Sequence, residues 1–257
     1  MASDPDLGRK SKITASPAAA DETLPFQTHA LDLAYPLLGP RPYSHGSSMI
    51  EGMLAALVLI VPDLDRCGAV IRQFKVIRQF STLSRAEAMT TAHALEHPRL
   101  KQAVARLDIE AHGERLTSLL FERPDPALGR LPDYDPNGYL SEVYPARDGR
   151  PAGGRFDGLT DFVDLIRGLN ECNRQLTVAS FPHKDWSKRV RWAYIQNMPI
   201  LSSDECASLE TVSYSEPEAI DIGRQRFEIK HGTLAGGGRE WGFDICFFIE
   251  LPQEAGA

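Results

Sequence analysis

Arg41-Pro-Tyr-Ser-His-Gly-Ser-Ser-Met-Ile-Glu-Gly-Met-Leu-Ala-Ala-Leu-Val-Leu-Ile-Val61 is the stretch on which the fold turns. Two prolines and Gly46 interrupt the chain around its start, Ser47 and Ser48 are N-cap residue types, and good helix formers run from Met49 onward, so a helix is expected to begin here. From Gly52 to Val61 every residue is apolar or glycine, the pattern of a rod enclosed on all sides rather than packed along one stripe. Those ten residues are too few to span a bilayer. One ionisable side chain, Glu51, sits about one turn into the rod, and His45 stands just before it. Burial strengthens the proton affinity of a carboxylate and a helix N-terminus weakens it, so Glu51 is a candidate acid or base. The competing reading is a favourably placed first-turn acid beside an exposed loop histidine.

At 257 residues the chain has material for one large domain or two fused small ones. Its composition, 42% hydrophobic and 25% charged, is that of an ordinary soluble protein. A formal net charge of -7 argues against a general nucleic-acid binder, which needs a basic face. Cys67, Cys172, Cys206 and Cys246 are scattered without a CxxC pair, so reduced thiols in a cytoplasmic protein are expected, with neither a zinc ribbon nor a disulfide framework. Residues 1–23 mix Asp, Lys, Ser, Pro and Ala without an apolar core and read as a disordered leader. No P-loop, dinucleotide glycine fingerprint or Gly-x-Ser-x-Gly elbow occurs.

Outward from the rod, Phe26 to Ala34 alternates as a strand does. Ala69 to Ser81 carries Val-Ile-Arg-Gln-Phe twice and reads as one long strand, whose Arg72, Lys75 and Arg78 form either a phosphate-receiving patch or a solvated face. Arg85 to Thr91 suits a strand by position and a helix by its alanines. His93 and His97 have the spacing of two helix-borne metal ligands, but no third ligand is in view and Pro98 ends the segment, so no metal site is expected. Val104 to Ala111 and Arg115 to Arg123 read as a hairpin turning at His112-Gly113-Glu114. Residues 124–155, rich in Pro, Gly and Asp, read as a linker or a long ordered loop between two halves. A second apolar helix is expected from Leu159 to Leu176, then strands over Lys188–Gln196 and Cys206–Tyr214. A last hairpin follows, with Arg224–His231 and Glu240–Leu251 around Gly236-Gly237-Gly238. Trp192, Trp241 and Phe247-Phe248 are read as core aromatics.

The two halves, 24–123 and 156–257, thus share one order: a Pro/Gly loop, a glycine-initiated helix, a long strand, a middle strand and a hairpin. That layout resembles the hot-dog fold in its double form, an α+β architecture in which two antiparallel sheets each wrap a central buried helix. More specifically, His45-Gly-Ser-Ser-Met-Ile-Glu51-Gly-Met-Leu-Ala-Ala56 resembles the start of the central helix in hydroxyacyl-thioester dehydratases of fatty-acid and polyketide synthesis, and Gly46 and Glu51 keep that family's spacing. The sequence departs from the family upstream, where the catalytic histidine stands in those dehydratases and this chain has Pro36 and Leu37. Hot-dog thioesterases are also similar, because they often open the helix with His-Gly, as in His45-Gly46.

The resemblance implies an enzyme of acyl thioesters carried on coenzyme A or an acyl carrier protein, 3-hydroxyacyl dehydratase-like, with thioesterase and non-catalytic acyl- or partner-binding alternatives. It implies catalytic roles for Glu51 and His45, joined from the second half by Asp164 or Asp161. Gly46, Ser47, Tyr43 and Arg41 are then the substrate-binding residues. No cofactor, metal, nucleic acid or membrane span is expected, and the protein would be a monomer or homodimer.

Overall fold

The computed structural model describes residues 14–18, 26–34, 37–38, 46–78, 83–123, 130–131, 136–179, 190–223 and 225–250. The chain divides into two units, Met1–Gly138 and Tyr139–Ala257. The first contains β1 (Thr14–Pro17), β2 (His29–Ala34), β3 (Leu37–Leu38), α1 (Gly46–Val58), β4 (Val70–Val76), β5 (Leu83–Thr90), α2 (Thr91–Glu96), β6 (Ala105–Ala111), β7 (Glu114–Glu122) and β8 (Arg130–Leu131). Its antiparallel strands run in the order β1-β2-β5-β7-β6-β4, and α1 packs on β2, β5, β6 and β7. One sheet face is apolar and small: Leu31, Leu33, Ala86, Ala88, Ser118, Leu120, Leu107, Ile109, Ile71 and Phe74 are all buried. Alanines and a serine at the middle of that face leave room for a helix to lie close, and Met49, Ile50, Met53, Ala56 and Leu57 fill the space from the helix side.

Strand β4 shows how packing overrides a simple period. Ile71 and Phe74 are both fully buried although three residues apart. Strict alternation would send them to opposite faces, and a register shift between Ile71 and Gln73 inserts the extra residue that restores both to one face. The expected long strand ends at Val76, where Ile77 and Arg78 both donate their N–H to the Val104 carbonyl. Strand β5 is buried on both faces. Its second face, with Met89, joins Leu119, Phe121, Ala103 and Ala94 of α2 in a small cluster to which Phe26 and Leu100 add.

The second unit contains β9 (Leu140–Tyr144), β10 (Ala152–Phe156), α3 (Phe162–Ala179), β11 (Val190–Pro199), α4 (Ser203–Ala207), β12 (Leu209–Tyr214), β13 (Glu218–Ile222), β14 (Gln225–Gly236) and β15 (Arg239–Glu250). The order is β9-β10-β12-β14-β15-β11, with β13 also on β14, and α3 packs on β9, β10 and β11. In both units the strand following the helix lies last in the order. The middle strands differ: β12, β14 and β15 follow chain order, whereas β7 precedes β6, because α2 and a 3-10 turn at Leu100–Gln102 carry the chain across the far face before the hairpin forms.

Several expectations are corrected here. Residues 124–155, expected as a linker or an ordered loop, contain strands. They supply β8 to the first unit and β9 and β10 to the second, since glycines that look like breakers are what β10 needs for close packing. A Cβ at Gly154 would meet the Cys172 sulfur of α3 at 2.8 Å. Within the leader, Thr14–Pro17 pairs with β2. Helix α1 starts at Gly46, which places Ser47 and Ser48 inside its first turn rather than at the N-cap, and it stops at Val58, with Val58 and Leu59 exposed. Cys206 lies in α4, whose Ser202–Glu205 capping box converts part of the expected strand into a helical turn.

Gly236 tests the packing directly. A Cβ there would stand 2.2 Å from the Ser208 carbonyl oxygen and 2.5 Å from the Leu209 Cα, so Gly236→Ala must push β14 off β12 and is expected to cost about 2 to 3 kcal/mol. Gly68→Ala meets nothing within 4 Å and carries only the strain of its φ of +71°, a cost of about 1 kcal/mol. Urea midpoints of the two variants should fall in that order.

Candidate functional site

Helix starts expose backbone donors that no intrahelical carbonyl can satisfy. Gly46 opens α1, and Ser47 and Ser48 behind it are 1% and 4% exposed. Glu51, half-buried, lies one turn further along the same helix. A carboxylate one turn from a set of oriented N–H groups can move a proton next to a carbonyl oxygen held by those groups. Arg41, Tyr43 and His45 lie outside the described residues.

The second-half acids sit at the start of α3 and are engaged there. Asp161 caps the helix, its Oδ1 accepting the Asp164 backbone N–H at 2.9 Å. Asp164 turns back, and its Oδ2 accepts the Thr160 N–H at 3.2 Å and the Thr160 hydroxyl at 2.6 Å. Arg167 donates to Asp164 Oδ1 at 3.4 Å, in a pair whose side chains are 3% and 2% exposed. The fold therefore brings Asp161 and Asp164 together as a helix cap with its own counter-charge.

A buried pair in the first unit was not foreseen. His97, just beyond α2, and Glu87 of β5 meet with Nε2 and Oε2 2.6 Å apart, both side chains almost fully buried. The backbone N–H of Arg99 donates to His97 Nδ1 at 3.1 Å. A nitrogen that accepts carries no proton, so Nδ1 is the acceptor and Nε2 the donor to Glu87. Arg85 Nε, 3.5 Å from the other Glu87 oxygen, supplies the positive partner. Neither ring nitrogen is left for a metal or a substrate. His93 stacks on Phe26 at 4.7 Å and His97 on Phe121 at 5.1 Å, so the spacing that suggested metal ligands serves aromatic packing. The Arg72 and Arg78 patch is likewise paired, with Glu110 and Glu122 respectively.

The second unit contains a cavity of about 710 Å³, bordered by the turn at 145–151, the end of α3 and strands β12 and β14. Lys230 reaches into it from β14, 6% exposed, 3.9 Å from Glu228 and 3.4 Å from the Thr177 hydroxyl. Burial holds its ammonium below the usual lysine range, and Glu228 partly opposes that. Burial also pushes the nearby Cys172 thiol up to about 12. No sequence signal pointed to this cavity, because half its wall lies in the stretch read as linker.

No protein-family model matches the chain, and no curated protein matches its sequence. Solved structures do. The dehydratase domain of the polyketide PpsC from Mycobacterium tuberculosis is 9% identical, covers 91% of this chain and 98% of its own, and superposes with a TM-score of 0.52. A bifunctional dehydratase-cyclase domain in ambruticin biosynthesis matches at 12% identity over 95% and 96% of the two chains, TM-score 0.47. An acyl-CoA thioesterase II, TesB2, from Mycobacterium marinum matches at 13% identity over 89% and 94%, TM-score 0.44. The fold is a double hot-dog. No helix among the described residues is long and apolar enough to cross a membrane.

If His97 and Glu87 are a structural couple, His97→Phe should cost about 2 to 3 kcal/mol, because it removes the hydrogen bond of a buried carboxylate and leaves it Arg85 alone. Adding Glu87→Leu should recover much of that loss rather than add to it. Denaturant unfolding of the two single variants and the double variant measures the coupling.

Proposed function

We propose that this protein is an enzyme of acyl thioesters carried on coenzyme A or an acyl carrier protein, acting as a 3-hydroxyacyl dehydratase in fatty-acid or polyketide-type biosynthesis. The observation that carries the reading is the start of α1, where the glycine that opens the helix, Gly46, precedes a single half-buried acid, Glu51, in a unit of the hot-dog fold. The Gly46 N–H holds the thioester oxygen, which stabilises negative charge as the C2 proton leaves. Glu51 accepts that proton. The C3–O bond breaks as the C2=C3 bond forms, and Glu51 returns the proton to the departing hydroxyl, which leaves as water. Ser47, Tyr43 and Arg41 bind the substrate, His45 assists Glu51, and the setting is cytoplasmic with a monomer or homodimer.

One observation favours a second reading, thioester hydrolysis. Asp164 is committed to Thr160 and Arg167, and Asp161 to the Asp164 N–H, so neither is poised as the partner acid that a two-group dehydration needs. Hydrolysis requires one acid only. Glu51 would draw a proton from water, the oxygen would attack the carbonyl held by Gly46, and the C–S bond would break to release the thiol.

The test is a panel of 3-hydroxyacyl and acyl thioesters, with enoyl product and free thiol followed separately. Dehydration yields enoyl absorbance that falls about 100-fold or more in Glu51→Gln. Free thiol with the same dependence selects hydrolysis. Background rates of both that ignore Glu51→Gln overturn the enzyme reading in favour of an acyl- or partner-binding protein.

A further inference from the structure

The turn after α1 and the hairpin between β6 and β7 bring three different metal-ligand types to one place. The Cys67 N–H donates to the Asp63 carbonyl at 3.0 Å, a helical-type turn that puts the two side chains on the same side. Opposite them, His112 and Gly113 both take positive φ, 54° and 78°, the pair of left-handed residues a tight two-residue hairpin requires. That turn aims His112 back at Asp63, with Nε2 and Oδ1 3.2 Å apart. The donor atoms of Asp63, Cys67 and His112 all lie within 4.8 Å of one another.

We propose that Asp63, Cys67 and His112 form a binding site for a divalent first-row metal ion, zinc before others, with solvent completing the coordination. Zinc with nitrogen and oxygen ligands at about 2.0 to 2.1 Å sets a tetrahedral edge of roughly 3.3 Å, and the His112–Asp63 separation is already close to it. With a zinc–sulfur bond of about 2.3 Å the edges to sulfur are roughly 3.6 Å, so the sulfur has to close by at most about 1.2 Å from the widest spacing of 4.8 Å. A thiolate with an imidazole selects zinc over magnesium or calcium, which prefer all-oxygen shells. The contact to be displaced is cheap. His112 and Asp63 are 57% and 53% exposed, and an exposed pair of that kind contributes little. On binding, the Cys67 thiol gives its proton to solvent and its sulfur takes the metal, while Asp63 and His112 bind as carboxylate and neutral imidazole. The ion then ties the end of the central helix's exit turn to the β6–β7 hairpin.

The cysteine inventory makes the test clean. Cys172, Cys206 and Cys246 are fully buried, and burial pushes their thiols up to about 12, 12 and 11. Cys67 is half-buried and is the thiol within reach of a reagent. The full chain, stripped of metal with a chelator, is titrated with cobalt(II). A near-ultraviolet sulfur-to-cobalt band saturating at one equivalent is expected, bleached by added zinc. Zinc should also slow modification of Cys67 by an aromatic disulfide reagent at least about ten-fold, and raise the thermal midpoint by several degrees. Cys67→Ser should abolish the band, and His112→Ala or Asp63→Asn should weaken zinc binding at least about ten-fold. All three positions lie in surface turns, and the circular dichroism of each variant checks that it folds. No sulfur-to-cobalt band, no protection of Cys67, or zinc affinity unchanged in Cys67→Ser overturns the proposal.

Discussion

The close seating of α1 on the sheet of the first unit is the constraint from which the rest of that unit follows. A helix can lie against a curved sheet only where the facing side chains are short, and β5 and β7 offer Ala86, Ala88 and Ser118 at the contact. Larger residues then close the margins, with Leu31 and Leu33 on one side and Ile71 and Phe74 on the other. The bulge in β4 is part of the same solution, since without it one of those two margin residues would face outward. Burying this much apolar surface is the dominant favourable term in folding, and it fixes where the start of α1 and Glu51 lie relative to the sheet.

The second unit solves the same problem with different chemistry. Helix α3 buries Asp164, Arg167, Glu171, Asn173 and Thr177 alongside Leu165, Ile166 and Leu169. Its charges are internally matched, Asp164 with Arg167 and Glu171 with Arg174, each three residues along the helix. Buried ion pairs of this kind add little net stability but cost much when broken, so they restrict which substitutions and which registers the helix tolerates. An apolar helix of the kind the sequence suggested would have lacked that restriction.

What was legible in the sequence follows the range of the interaction that decides each element. The helix at α1, the hairpin at His112-Gly113 and the one at Gly237-Gly238 rest on residues within a few positions of one another, and all three form, α1 ending three residues short of the apolar run. Strands β9 and β10 rest on contacts with α3 and β12, and their glycines read as breaks until those neighbours are present. Gly46 and Glu51 were visible as a helix start with a lone acid. The capture of Asp164 depends on Thr160 and Arg167 adopting one helical cap, and the coupling of Glu87 to His97 depends on α2 folding back over β5. No local pattern encodes either.

These pairings narrow the chemistry further than the fold does. An acid can serve as a proton carrier only where a substrate can reach its oxygens, and an acid whose oxygens are taken up by neighbouring side chains and backbone offers none. Asp164 meets that description, as does Glu87 between Arg85 and His97. Glu51 lies on a helix whose buried neighbours are Ile50 and Gly52, without a charged residue in its first or last turn. Its place, half-buried one turn into α1, is set by the seating of that helix on β2, β5, β6 and β7, so the packing of the helix decides where this acid stands.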